Sequence, residues 1–396
     1  MTTTSMITWD AASARRAERQ FLTGPARPVT PAAATGSGTP VADVVGAMMG
    51  AHAQVLSAAE VSVGGRTSTL TRADVRVALW DERSLIKTYG PRGTVHLLPA
   101  RELPLWSAAL TAIPTGPSPF PPDVRLTEEQ AAQVLAAIGE ALKDTCLTLD
   151  ELTEEIVERT GPWAGDRVVP AFQDMWPRWR QVLHRAGWAG TLCFGPNRGR
   201  KATYTRPPVA GAAGGGTDGA LGAFVRRYLG AYGPATPQHF AKWLAAPVGW
   251  AGTVFRELAA AGGIEEVDFE GTRAWVASGD TDFPDGPPRG VRLLPYFDAY
   301  VIAAQPRERL FPGTAYERAL AGGQAGNYPV LLVDGVVAGV WHQRRQGRRT
   351  TVTVEPLVRL TARQERELDE QVERVGEVLE ARAELVVGQV KVGPHA

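Results

Sequence analysis

The triplet His52-Ala53-Gln54 places an imidazole and a carboxamide two positions apart within "MMGAHAQVLSAAE", Met48 to Glu60. The rest of that run is apolar or small and reads as the end of a buried helix. An imidazole titrates near neutrality and can accept a proton, while a carboxamide can orient a water without changing charge. Two polar side chains at a helix end can also simply satisfy backbone groups. The triplet therefore either caps a turn or does chemistry.

Other catalytic signatures are missing. There is no GxSxG elbow, no P-loop, no HExxH and no Rossmann glycine fingerprint followed by an acidic residue. "GAAGGGTDG" is glycine-rich, but no strand leads into it, so it reads as a linker. The six histidines lack metal-ligand spacing, so neither a metal nor a cofactor is expected. Cys146 and Cys193 stand apart without a CxxC, which argues against a disulfide framework or a structural zinc.

Charge narrows the choice of partner. The 42 basic and 42 acidic residues cancel, against a protein that coats nucleic acid nonspecifically. Two basic clusters remain. "RRQGRR" sets Arg344, Arg345, Arg348 and Arg349 around a tight turn, with Trp341 and His342 on its stem; "PNRGRKATYTR" sets Arg198, Arg200 and Lys201 around a second. One charged hairpin tip is ordinarily a solvated turn, but two in a neutral chain favour a concentrated phosphate-binding face. The basic residues are nearly all arginine, the better bidentate phosphate ligand.

The elements that position these groups fall into four blocks, 1–112, 123–208, 218–279 and 290–396, separated by breaks rich in proline and glycine. The first three share an outline of helix, helix, helix, hairpin, that of a winged helix. In the first, "ITWDAASARRAERQFL" and "VADVVGAMMGAHA" have helical spacing. "LTRADVRVALWDERSLIKTYG", capped by Thr71, is expected to run as a third helix to Gly90. In the second, Thr148 and Glu151 form a capping box before "MWPRWRQVLHRAGWAG", a further predicted helix. The fourth block alternates instead, with hairpin signals at Asp334-Gly335 and Gln346-Gly347, and predicts a small antiparallel sheet closed by a polar C-terminal helix. No apolar run approaches the roughly 20 residues that span a bilayer, and "MTTTSMITWD" lacks the regions of a signal peptide, so a cytoplasmic protein is expected.

Across nearly its whole length the sequence resembles the bacterial winged-helix DNA glycosylases of the AlkZ/YcaQ (AlkX) family. "GAHAQVLSAAEVSVGGR", "ALWDERSLIKTYGPRGTVHLLPA", "AGTLCFGPNRGRKATYTR", "RRYLGAYGPATPQHFAKWL", "LLPYFDAYVIAAQPRERLF" and "LLVDGVVAGVWHQRRQGRRTTVTVEP" occur in the family's order. The resemblance implies an α+β fold of three tandem winged helices with a C-terminal β element and helix, C-shaped around DNA. It implies excision of N7-alkylated purines, in some members the unhooking of interstrand crosslinks, and self-resistance to a genotoxic natural product. The family's catalytic signature is Gln-x-Gln or Gln-x-Asp, with a His-x-Gln variant. His52 and Gln54 fall there, so the first glutamine is replaced in this chain.

By the same resemblance, "HQRRQGRR" corresponds to a DNA-probing hairpin, making His342, Arg344, Arg345, Arg348 and Arg349 candidates for groove and phosphate contacts. Arg66, Arg92 and His96 correspond to recurring positions and are expected to support the first winged helix. The partner implied is double-stranded DNA with an alkylated guanine, met by a monomer without a cofactor. The chemistry is coherent: alkylation at N7 charges the base and weakens the glycosidic bond, so what remains is to hold a water against C1′ and stabilise an oxocarbenium-like sugar. No lysine is placed to form a Schiff base, so a monofunctional enzyme is expected. The competing reading is a noncatalytic winged-helix transcriptional regulator, disfavoured because regulators usually dimerise a single such unit. A weaker third reading is a small-molecule-binding protein.

Overall fold

A computed structural model describes residues 6–23, 40–171, 174–211, 217–320 and 322–393. The centre of the glycine-rich stretch read as a linker, residues 212–216, lies outside them. The fold is mixed α+β. The third block has the expected outline: helices Thr217–Tyr232, Pro237–Leu244 and Val248–Ala260 precede the hairpin Ile264–Phe269/Thr272–Ala277. Its turn, Glu270-Gly271, has two positive φ angles, as a tight hairpin with right-twisted strands requires. Phe224, Tyr228, Phe240 and Trp243 form its core, joined by Trp106 from the first block's helix Leu103–Thr111.

The first two blocks are not separate sheets. One six-stranded sheet runs in the order Ala51–His52, Val95–Pro99, Leu85–Tyr89, Cys193–Arg198, Lys201–Thr205, Cys146–Thr148. The two blocks meet where Lys87 pairs with Phe194. The expected helix to Gly90 is corrected: it covers Arg72–Trp80, Arg83 turns the chain at φ 53°, and Leu85–Tyr89 becomes a central strand. Pairing on both sides of that strand outweighs its local helical spacing. In the second block the expected third helix is also shorter. Met175–Pro177 is a strand, and only Leu183–Trp188 is α-helical; Pro177 forces the residue before it into extended backbone.

The N-terminal helix Trp9–Arg19, expected in the first block, packs elsewhere. Trp9, Ala12 and Ala17 join the core of the third-block hairpin and the fourth block. Arg16 is buried and donates to the carbonyls of Gly233, Pro234 and Gln305, while Arg19 pairs with Asp280. Burial of Arg16 costs desolvation that three carbonyl acceptors offset.

The fourth block is a five-stranded sheet ordered Val291–Leu294, Val330–Val333, Val336–Gln346, Arg349–Pro356, Arg382–Val387. Both hairpin signals hold. The expectation of a purely antiparallel sheet closed by a helix is corrected: after helix Ala362–Val378 the chain adds Arg382–Val387, parallel to Arg349–Pro356. The helix supplies the crossover that a parallel pair needs. It also lies on the first block, where a Cβ on Gly64 would sit 2.7 Å from the Val378 methyls. Arg374 donates to the carbonyls of Gly64 and Leu70 there.

Candidate active site

The triplet is not a helix end. Helix Pro40–Ala47 is stopped by Met49 and Gly50 at φ 54° and 85°, and Ala51–His52 then form a short strand on Val95–Pro99. Gly50 is needed twice over, since a Cβ there would also lie 2.9 Å from Leu98. The Ala53 amide donates to the Val95 carbonyl at 2.7 Å, and helix Leu56–Gly64 begins after Val55. Gln54 lies in the turn between strand and helix.

His52 and Gln54 differ in their surroundings. His52 is 8% exposed; Gln54 is exposed. His52 sits directly opposite His96 in the ladder, so the two rings leave the same face and meet edge-to-face at 5.1 Å. On another side the Phe297 ring lies 4.4 Å away. The His96 Nδ1 donates to the Thr94 carbonyl at 2.9 Å. Burial, then the neighbouring His52 and Arg92, hold the His96 pKa well below the ordinary imidazole value. His96 is therefore neutral at physiological pH and presents a fixed tautomer beside His52.

Two of the three expected supports reach beyond the first block. Arg66 is 1% exposed and binds both carboxylate oxygens of the fully buried Asp298, at 2.7 and 2.8 Å. Arg92, in a turn at φ 61°, donates to the Trp243 carbonyl of the third block at 2.6 Å. Only His96 acts within the first block alone. Sequence reasoning missed Phe297 and Asp298 because "PYFDAY" reads as part of a strand, whereas the strand ends at Leu294.

Lys87 is the lysine nearest in the sheet. It pairs with Leu97 while Thr88 pairs with His96, so alternation sends the Lys87 side chain to the face away from His52. Its Nζ lies 5.0 Å from the Phe194 ring centroid, and burial lowers its pKa.

The two basic hairpins are not equivalent. Arg344, Arg345, Arg348 and Arg349 are exposed, and none is in an ion pair among the described residues. Arg349 pairs in register with Arg382 of the parallel strand, adding a cation that the sequence did not reveal. Desolvation lowers the His342 pKa, so this imidazole adds little to the hairpin's charge at neutral pH. At the second tip Arg198 pairs with Glu151 at 2.6 Å and Lys201 with Asp150 at 2.7 Å. Arg200 is exposed there.

The fold thus sets a shielded imidazole beside an exposed carboxamide and carries a cationic hairpin in the same chain. A solved structure, the DNA glycosylase AlkZ of Streptomyces sahachiroi, superposes with a TM-score of 0.74 at 26% identity, covering 96% of this chain and 100% of that one. A relative described as an interstrand DNA cross-link repair glycosylase, also from Streptomyces sahachiroi, is 32% identical over 349 residues, 84% of this chain and 87% of the relative. The family model for AlkZ-like DNA glycosylases matches residues 45–378, which include the triplet and the basic hairpin. The chain belongs to the AlkZ-like family and is a DNA glycosylase; the regulator reading is not favoured.

Proposed function

We propose that the chain is a monofunctional glycosylase that hydrolyses the N-glycosidic bond of N7-alkylguanine in double-stranded DNA. The observation that carries this reading is the split environment of the triplet. Gln54 is open to solvent and can hold a water by its carboxamide, while His52 is enclosed by His96 and Phe297 and can share that task or take the proton from the water. A cationic leaving base needs no general acid, so orienting and deprotonating the water is the work left to these two side chains. The orientation of Lys87 away from His52 supports hydrolysis rather than lyase chemistry.

The first three blocks are read as winged helices and the fourth as the β element bearing the DNA-probing hairpin, together C-shaped around one duplex and acting as a monomer in the cytoplasm. Arg344, Arg345, Arg348, Arg349 and Arg382 are assigned to phosphate and groove contacts; Arg198, Arg200 and Lys201 contribute less, because two of the three are neutralised. The relative's name extends the reading to interstrand crosslinks and a repair role, and the sequence resemblance extends it to bulky adducts and self-resistance. A bulky adduct cannot be turned fully into a tight pocket, so access from the groove is expected.

The test is incubation with a duplex carrying a single N7-methylguanine, followed by alkali cleavage at abasic sites. Cleavage should appear with the wild type and fall by at least about a hundredfold in single-turnover rate with Gln54→Ala. Absence of excision from any N7-alkylguanine duplex, small or bulky, would remove this substrate assignment.

A further inference from the structure

The turn between strand Val291–Leu294 and helix Ala299–Ala303 belongs to the fourth block yet lies against the triplet of the first. Its Phe297 ring packs on His52 at 4.4 Å with an interplanar angle of 32°. Phe297 has a φ of 57°, a left-handed conformation that bulky residues rarely adopt. Such a conformation persists where the surroundings over-determine it, and it is common beside functional sites.

The surroundings here are specific. The Phe297 amide donates to the Gly326 carbonyl at 2.9 Å. The next residue, Asp298, is wholly buried and takes two hydrogen bonds from Arg66, one from the Ser62 hydroxyl at 2.6 Å and one from the Tyr300 amide at 3.0 Å. Ser62 lies on helix Leu56–Gly64 and Arg66 just beyond it, on the segment that follows the triplet. The same short stretch of chain therefore carries His52 at one end and, at the other, the groups that grip the turn facing His52.

Resting on the reading that His52 takes part in glycosidic hydrolysis, we propose that Phe297 is a positioning residue for His52. The Arg66–Asp298–Ser62 cluster is the latch that sets its ring in place. His52 stands on a two-residue strand that, among the described residues, pairs on one side with Val95–Pro99, so side-chain packing bears on where its ring sits. His96 limits its ring from one direction and Phe297 from another. Misplacement of a reacting group by about 1 Å can cost on the order of a hundredfold in rate, so this packing bears directly on the chemical step. Catalytic competence then depends on docking of the fourth block onto the first, which couples the DNA-probing hairpin's own block to the site of chemistry.

The experiment compares Phe297→Ala and Phe297→Leu with the wild type in single-turnover excision of N7-methylguanine, with duplex affinity measured alongside. Modification of His52 by diethyl pyrocarbonate is followed by mass spectrometry in all three. Phe297→Ala is expected to lower the maximal rate about tenfold or more with affinity within about twofold, and to speed His52 modification. Phe297→Leu, which refills the volume, should recover most of the rate and the protection. An unchanged rate, or a loss confined to affinity, would overturn the proposal, the second by making Phe297 a DNA contact. Asp298→Asn should reproduce the alanine phenotype. If that variant does not fold, the two Phe297 variants still decide. If the wild type itself fails to excise, the functional reading has failed, and His52 protection alone then decides whether Phe297 holds the imidazole.

Discussion

Two β-hairpins of this chain end in basic tips of similar composition, and their surroundings make them different. Around Gly347, four arginines face solvent without an ion pair among the described residues. Around Gly199, Arg198 and Lys201 are held by Glu151 and Asp150 from the first turn of helix Leu149–Thr160. Glu151 does two things at once: one oxygen accepts from the Thr148 amide at 2.7 Å in the capping box, and the other takes the guanidinium of Arg198. A basic cluster in a sequence thus says where cations are, whereas phosphate affinity depends on the charge left after local pairing.

The largest effect should come from removing the unpaired cations. Arg344→Ala/Arg348→Ala/Arg349→Ala is expected to weaken duplex binding by on the order of a hundredfold at low salt, and to reduce the slope of log affinity against log salt by about three. Fluorescence anisotropy across a salt series reads both. An unchanged slope would mean that the hairpin stands off the phosphates. A smaller effect of opposite sign should follow from unmasking the other tip. Asp150→Asn/Glu151→Gln leaves Arg198 and Lys201 unpaired, so affinity should tighten severalfold and the salt slope steepen by up to about two. No tightening would show that this tip does not face the duplex, whatever its charge.

How much of this was legible in the sequence follows the range of the interactions. Local chemistry was: the caps at Thr71 and Thr148, the three helices and hairpin of the third block, and the turn residues of the fourth are where the spacing puts them. The triplet and the exposed hairpin could be found, though the triplet's strand was mistaken for a helix end because two left-handed residues, Met49 and Gly50, stop the helix early. Long-range pairing was not legible. Nothing in "SLIKTY" tells of a strand partner more than a hundred residues away, and the parallel strand Arg382–Val387 hides behind a helix. Phe297 and Asp298 escaped for the same reason. Their partners His52 and Arg66 lie over two hundred residues earlier, and removing one side of the buried Arg66–Asp298 pair should cost about 3–5 kcal/mol.

The smallest effect sharpens the comparison through pH. The Glu151 pKa lies below the ordinary glutamate value, chiefly because its carboxylate accepts from the Thr148 amide, with the Thr148 hydroxyl and Arg198 adding to it. A carboxylate with a lowered folded-state pKa contributes stabilisation above its unfolded value, and loses it as pH falls through the folded one. Lys201 is shifted the other way, raised by its hydrogen bond to Asp150, so its contribution is complete below the unfolded lysine value and lost only as pH rises through the folded one. Glu151 and Lys201 both keep their charges from about pH 5 to about pH 9, and the tip stays masked throughout. Removing both pairs together, Arg198→Ala/Lys201→Ala/Asp150→Asn/Glu151→Gln, should therefore change duplex affinity by less than about twofold, equally at pH 5.5 and pH 8.5. A loss of similar size at both pH values would mean that these cations reach the DNA despite their carboxylate partners, and the two tips would then differ in degree rather than in role.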